Sequence, residues 1–576
     1  MKYLTNIYKS SLGIGVVLLS LTSCSDFLDQ QPDERVEVNT EEKVINLVKT
    51  AYTSGNYGVL AELASDNLID NNTPHLPWNP NDKDQVTSYY NLPPYNQNDE
   101  QAFTFEPVRA QSQQDSPLSV WSGNYSAIAT DNHALEAIDK LVAQNGGVMS
   151  DKLRAARAEA LISRAYHHFI LVNMFCQVYK DSVKSKDDIG IPYSTTPETT
   201  VDPKYNRGTV AEVYDKIQAD LEEGLKDISD VNMGSTPKWR FNVNASHAFA
   251  ARFYLFKREY DKVIEHADAV LGVGTANLPN MLMNIAKFEG CTDVDDYANV
   301  WQNPDEPNNL LLIATNSLAF RHFVGYRYTC NSLALRNTVG NSGPNASTFP
   351  RYFYMTTGGA YFAGGQDYGL ISSKIGERFE YTDKVAGIGY PHTIRREFTS
   401  SALLLERAEA KVLSKNQDID GAVADLIAYE NSHQTFSEAD KQSYIATGQV
   451  QPLTRAMIER YYKAGSTSPN CFQNWDFTKQ VSSQFVVPEN AVVYMNCIND
   501  MRRVEFLFEG NRFFDLKRWG ITIEHQVGNP ARTITVNPGD PRLAFELPQE
   551  VLSAGLEPSR PLDLSGATQI TISSNK

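Results

Sequence analysis

Apolar positions recur at helical spacing through most of the chain. Between Glu41 and Tyr52, Val44, Leu47, Val48 and Ala51 share one face. Val120 to Val142 repeats the pattern with Trp121, Tyr125, Ile128, Leu135 and Ile138, and Lys152 to Cys176 with Leu161, Ala165, Phe169 and Val172. Val210 to Ile228 carries Val213, Ile217, Leu221 and Leu225. Ala245 to Phe256 carries Phe249 and Phe253; a short turn at Lys257 to Tyr260 then leads into Val263, Ala267 and Val270. Ser401 to Leu413 carries Leu405, Ala408 and Val412, and a partner helix starts near Gly421.

Two stretches, Ala245 to Leu271 and Ser401 to Tyr429, have the small-and-aromatic pattern of tetratricopeptide helix hairpins. The ~34-residue period of that repeat is not kept strictly. Ala248, Ala250, Ala251, Ala408 and Ala410 allow neighbouring helices to approach closely. Hairpins of this kind stack into a superhelix with a continuous core. The expected fold is therefore mainly α, with helical repeats at about 41–60, 120–275 and 400–520.

Two long stretches break the pattern, Asn71 to Gln114 and Asn277 to Thr399, and they predict irregular ligand-binding loops at about 65–118 and 277–399. Long ordered loops usually carry function. Their aromatic residues, among them Trp78, Tyr89, Tyr90, Tyr95, Trp301, Tyr326 and Tyr328, argue against disorder. An extended segment closes the chain over 521–576.

Composition narrows the partners. The 576 residues are 41% hydrophobic, ample for a large core, and carry a net charge of −17. That acidity excludes nucleic acid, whose phosphates need clustered Lys and Arg. Six cysteines without a CxxC make neither a disulfide framework nor a zinc site. Buried thiols with at most one or two bridges are expected among Cys176, Cys291, Cys330, Cys471 and Cys497.

The first residues read as an address. Lys2 and Lys9 precede the apolar run Leu12 to Leu21, and Thr22, Ser23 and Cys24 follow. This is the order of a secretory signal, and the run is about half the roughly 20 residues a spanning helix needs. LTSC resembles a bacterial lipobox, which implies cleavage after Ser23 and a lipid on Cys24. Removing 1–23 takes two lysines and no acid, so −17 becomes −19. A multiply acylated terminus holds a membrane where one chain would not. Asp26, Asp29, Asp33 and Glu34 fill the tether over 24–40, which resembles the acidic export signal of Bacteroidetes surface lipoproteins. The body, 41–576, reads as a single unit attached to the membrane through that lipid only.

Signals for catalysis are weak. The chain holds no HExxH, GxSxG or Walker loop. His167 and His168 are adjacent on a helix, so their rings point to different faces. Asn416 to Gly421 begins like a calcium loop, but Ile427 stands where the bidentate Glu is required. It reads as the turn between two helices. The densest motif is Met501 to Gly520. Its Glu505 and Glu509 are spaced to share one helix face, and its evenly mixed charges satisfy one another and end that helix at Gly510. Its role is structural. No catalytic residue, cofactor or metal ligand is assigned, a structural calcium being left open.

Several segments, in order, resemble the SusD/RagB family of outer-membrane glycan-binding lipoproteins. They are WSGNYSAIATDNHALEAID from Trp121, RAEALISRAYHHFILVNMF from Arg157, and GIPYSTTPETTVDPKYNRGTVAEVYDKIQADLEEGL from Gly190. LLLERAEAKVL from Leu403, MRRVEFLFEGNRFFDLKRWG from Met501 and RLAFELPQEVL from Arg542 complete the series. Met501 stands where an acid is common in the family, Phe513 where Trp is common, and the helix after Gly421 lacks the usual basic ending. The resemblance implies a tetratricopeptide-like superhelix with an irregular, loop-rich half packed against it. It also implies a lipid-anchored, outward-facing protein of the outer membrane that delivers oligosaccharide to a TonB-dependent, SusC-like transporter. Peptide as the ligand, or a surface glycosidase, are the alternatives.

A pyranose ring has an apolar CH face that stacks on aromatic rings, and neighbouring polar side chains take the hydroxyls. HLPWNPND around Trp78 and Asn79, the nearby Tyr89, Tyr90 and Tyr95, and VWQNPDEPNN around Trp301 and Asn303 are the expected platform.

Overall fold

The computed structural model describes residues 38–74, 91–110, 112–200, 204–288, 290–324, 326–331, 372–433, 453–463 and 485–560, with Ala334, Ala446 and Phe477 singly. The predicted leader, Cys24 and most of the tether lie outside them, as do Trp78, Asn79, Tyr89, Tyr90 and Cys471.

The predicted helices form, and their ends are set by local chemistry. α1 (Glu41–Val48) starts at Thr40, whose hydroxyl accepts from the Lys43 N–H, with Glu41 and Glu42 in the positive first turn. It ends at its cap residue Lys49, short of the predicted Tyr52, whose hydroxyl donates to Glu159 at 2.9 Å and accepts from the Phe241 N–H at 2.6 Å. α2 (Gly58–Leu63) and α3 (Gln97–Phe103) are short. α4 (Pro117–Gln144), α5 (Asp151–Phe175) and α6 (Val210–Asp227) are the long scaffold helices. Ser116 and Ser150 cap the first two, and a full capping box of Thr209 and Glu212 opens the third.

Two hairpins follow the tetratricopeptide expectation. α7 (Val243–Lys257) and α8 (Tyr260–Leu271) are joined at Arg258, which adopts φ 63° to close the first helix. Further along come α9 (Val294–Trp301), α10 (Ala319–Phe323), and the second hairpin, α11 (Ser400–Leu413) and α12 (Ile419–Ser432). The turn between the last two is the calcium-like stretch; Asp418 caps α12 by accepting from the Gly421 N–H. α13 (Arg455–Tyr461), α14 (Val492–Glu505), α15 (Asn511–Trp519) and α16 (Gln549–Ser553) complete the helices among the described residues. The fold is mainly α.

The stretch 277–399 is not irregular throughout. It holds β2 (Asn309–Thr315), β4 (Glu377–Asp383) and β5 (Ile388–Thr399) in an antiparallel sheet of order β2-β5-β4. β1 (Ile69–Asp70) pairs with β3 (Tyr328–Thr329), which ties the two predicted loop regions together. β6 (Ile523–Val527) and β7 (Arg532–Val536) make a hairpin in the closing segment, expected only as extended chain.

The motif Met501 to Gly520 is structural, though not as one helix. α14 ends at Glu505 and Gly510 opens α15 with φ 82°, so Glu505 and Glu509 do not share a helix face. Its charges are buried and paired. Arg502 holds Asp515 through two 2.9 Å bonds, and Arg518 holds both Asp515 and Glu409. Glu505 meets Thr399, Tyr429 and His433, while Glu509 meets Arg396. Lys517 donates to the carbonyls of Asn173 and Cys176 at 2.6 Å, and burial brings it down to about 7. His167 and His168 point apart: His167 accepts from the Thr53 N–H and His168 from the Ser194 N–H. Cys176, Cys291 and Cys330 are free thiols.

Candidate functional site

The predicted aromatic platform is only partly where the sequence placed it. Trp301 is a core residue, 1% exposed, packed with Met283, Phe288 and Tyr297 beneath the guanidinium of Arg396 and the ammonium of Lys374. It offers no ring to a ligand. It ends α9, whose Tyr297, Ala298 and Trp301 form the inward face. Asn303 is exposed, but its side chain accepts the Asp305 N–H and its carbonyl accepts from Asn309, so it shapes a turn. Of the two candidate rings among the described residues, Tyr95 alone is accessible to a ligand.

Tyr95 lies just before α3 and is half-buried. Its ring rests on His322 of α10, centroids 4.5 Å apart, and meets Tyr326 edge-on at 5.2 Å. Behind them His322 is held between two buried carboxylates, Asp99 at 2.7 Å and Asp115 at 3.4 Å. Burial alone would depress the imidazole; the two carboxylates outweigh it and push His322 up to about 10. A cationic ring therefore lies under Tyr95, where attraction to the aromatic face fixes its orientation. Asp115 is fixed in turn by the Ser317 hydroxyl at 2.6 Å and the Leu318 N–H at 2.8 Å.

The next residue along α10 extends this surface. Arg321 grips Glu377 through two bonds, 2.6 and 2.7 Å, at the start of β4. Side chains alternate along a strand, so Glu377, Phe379 and Tyr381 share one face. Phe379 and Tyr381 are 48% and 52% exposed, with ring centroids 4.9 Å apart. Tyr326, Tyr95, the Arg321–Glu377 pair, Phe379 and Tyr381 thus form one strip. From Glu377 to Tyr381 it spans about 13 Å at the usual rise of a strand. On the other face of β4, Arg378 donates to Gln302 at 2.8 Å, and Glu380 accepts from Tyr390 at 2.9 Å.

The described residues on either side of 75–90 lie beside the strip. Asn72 exchanges two hydrogen bonds with the backbone of Leu92, and the Arg327 N–H donates to the Pro93 carbonyl. Sequence reasoning missed Arg321, Glu377, Phe379 and Tyr381. The available signal was the alternation Glu377-Arg378-Phe379-Glu380-Tyr381, a period-2 pattern with aromatic rings at every second place.

A second concavity, of about 690 Å³, lies between α1 and α4, lined by Leu47, His133, Glu136, Leu141 and Lys140 among others. No Phe, Tyr or Trp lines it among the described residues, so it lacks a stacking surface. No group of three His, Cys, Asp or Glu is placed to hold a metal among those residues, and no helix there is long and apolar enough to cross a membrane.

Comparison with known proteins agrees with this architecture. A SusD-like family model described as "Starch-binding associating with outer membrane" matches residues 26–255, and the SusD/RagB model, described as "SusD family", matches residues 403–545. A SusD superfamily protein from Bacteroides thetaiotaomicron is similar in structure over 90% of this chain and 98% of its own, with TM-score 0.55 and 17% identity. One from Bacteroides vulgatus covers 91% and 99%, with TM-score 0.54 and 18% identity. A SusD-like carbohydrate binding protein of Bacteroides vulgatus covers 90% and 96%, with TM-score 0.53 and 15% identity. At such identities these likenesses concern the fold. No curated protein sequence matches the chain. The two family models together span well over half of the chain and include its buried signature segment: the chain belongs to the SusD/RagB family.

Proposed function

We propose that this protein binds an oligosaccharide along the strip from Tyr326 to Tyr381 and passes it to a SusC-like, TonB-dependent transporter of the outer membrane. In this reading it is held at the cell surface by lipid on Cys24, and the acidic tether carries it outward. The observation that carries the binding role is the pair of exposed rings, Phe379 and Tyr381, aligned with Tyr95 across the Arg321–Glu377 ion pair. Flat apolar rings suit the CH faces of successive sugars, and the ion pair between them suits hydroxyls. Membership of a family that binds glycans at the bacterial surface supports the same assignment.

The role is binding without catalysis. Glycoside hydrolysis needs one carboxyl group protonated and a second across the bond. On the strip, Glu377 is engaged by the bidentate guanidinium of Arg321, which occupies both of its oxygens.

The test is calorimetric titration of the full-length protein, purified in detergent, against soluble polysaccharides and their oligosaccharides, with each mixture checked for cleavage products. Covering about 60 Å² of one ring at about 25 cal/mol/Å² contributes about 1.5 kcal/mol, so Tyr381→Ala should weaken binding roughly tenfold. Both rings are solvent-exposed, so the fold is unaffected. Undiminished binding in the Phe379→Ala/Tyr381→Ala double variant refutes the assignment of the site. Released sugar would point to a glycosidase. One further observation favours a second reading: β4 is an edge strand of its sheet among the described residues, and an extended peptide could add to it through backbone hydrogen bonds. Displacement of a bound peptide pool, with silence across the glycans, would select that reading.

A further inference from the structure

His247 of α7 and His266 of α8 face each other across the first helix hairpin, far from any role in the strip. Their Nδ1 atoms are 3.0 Å apart, and their ring centroids 5.3 Å apart at 39°. Both rings are half-buried, so solvent and ions reach them. Two facing Nδ1 atoms are satisfied only when one ring donates and the other accepts, so a single proton lies between two lone pairs. That is the position a metal ion takes between two imidazoles. Zinc–nitrogen bonds of about 2.0–2.1 Å at the tetrahedral angle set two nitrogens about 3.3 Å apart. The rings need part by only about 0.3 Å to match, well within the give of two side chains.

The surroundings favour a cation. Tyr254 stacks on His266, centroids 5.5 Å apart and 11° from parallel, and its hydroxyl donates to Glu222 at 2.6 Å, which steadies the ring. The charged groups facing the pair are Glu265 beside His247, and Glu222 and Lys262 beside His266. Lys262 pairs with Glu222 at 3.1 Å and with Glu259 at 3.3 Å, and Glu259 also takes Lys257 at 3.1 Å, so with Glu265 three carboxylates stand against two ammoniums. Imidazole nitrogen is a ligand of choice for zinc and its neighbours in the first transition row.

We propose that His247 and His266 form a two-histidine site for a divalent transition-metal ion, zinc above all, with water in the remaining coordination positions. A metal there would clamp α7 to α8. Untagged full-length protein in detergent is titrated with zinc chloride by calorimetry, and with cobalt(II) by visible absorption. The expected result is saturable binding of one zinc per chain and ligand-field bands from cobalt. Binding becomes at least about tenfold weaker in His247→Ala and in His266→Ala. His133→Ala and Cys291→Ser, which remove an exposed histidine and a half-exposed thiol elsewhere, leave it unchanged. Circular dichroism checks the fold, and His247→Gln, which keeps a hydrogen-bonding group but not the imidazole, replaces the alanine variant if that one misfolds. No saturable binding, or zinc affinity within about twofold of wild type in either histidine variant, overturns the proposal.

Discussion

Replacing His322 by Gln tests the layer on which Tyr95 rests. The imidazole lies between Asp99 and Asp115, and all three side chains are at most 2% exposed. Asp115 keeps the Ser317 hydroxyl and the Leu318 N–H in the variant. Asp99 loses its 2.7 Å cationic partner and keeps the Tyr95 backbone N–H, so one buried carboxylate is left without a countercharge. Removing one partner of a buried ion pair costs about 3–5 kcal/mol. The Gln amide still donates one hydrogen bond, which places the expected loss near the lower end, about 3 kcal/mol. The sign with pH is definite. The folded-state value, about 10, lies above the ordinary 6.5, so the stabilisation is complete below pH 6.5 and is lost as pH climbs through 10. Urea unfolding of His322→Gln against wild type, followed by circular dichroism, should therefore show a penalty that is largest near pH 6 and shrinks toward pH 9.5. In the variant, Asp99→Asn should recover part of the loss, because the unpaired charge is then gone. A penalty below about 1 kcal/mol at pH 6, or one that stays constant as pH rises, refutes the picture of a cationic ring clamped by two carboxylates.

Two further substitutions test the scaffold. Glu409→Ala strips the carboxylate that receives both Arg518 at 2.7 Å and the Trp519 indole N–H at 3.0 Å. It should cost about 3–5 kcal/mol in urea unfolding, and Glu409→Gln should cost less. Gly510→Ala forces a side chain at φ 82° and puts its Cβ 2.7 Å from the Gly58 Cα and 2.8 Å from the Gly58 carbonyl oxygen, which is backbone and cannot swing aside. The same change at Gly539, φ 83° with nothing within 4 Å, carries only the left-handed penalty of about 1–2 kcal/mol. Gly510→Ala should therefore be clearly the more destabilising in thermal melts.

The helices were legible because their signals are local. Their apolar residues repeat every three or four places, which needs no distant partner, and the caps Ser150 and Thr209, which that reading did not use, set the starts in the structure. The periodic apolar faces then fixed which side is buried. The strip was less legible for two separable reasons. Along β5 the exposed end and the buried end carry different patterns, so no single alternation runs through its 12 residues, and the stretch read as loop. The support of Tyr95 depends on Asp99 meeting His322 across 223 residues, a pairing no local pattern encodes. Trp301 failed differently. Its Pro and Asn neighbours suggested an open loop, yet Tyr297 and Trp301 are four apart on α9 and face inward together, and that helical spacing was present in the sequence.

The connection between strip and scaffold runs through one continuous element. β5 emerges exposed at Ile388, pairs with β4 beneath the aromatic rings, and descends into the core, where Thr399 is both its last residue and the cap of α11. Thr399 accepts the Ala402 N–H at 3.1 Å and donates to Glu505 of the signature segment at 3.3 Å. Just above it, Arg395 lies 3.5 Å over the Tyr57 ring, Arg396 holds Glu509 at 2.7 Å, and Glu397 faces Arg252 of α7. A one-residue slip of β5 would send Arg395 to the side of Arg396 and break all of these buried pairs at once. The register that seats those charges is the same register that pairs Tyr381 with Gly389 and Phe379 with Pro391. The buried charge network is thus the device that sets which face of β4 presents its aromatic rings, and strand and helix meet without an intervening loop to blur that setting.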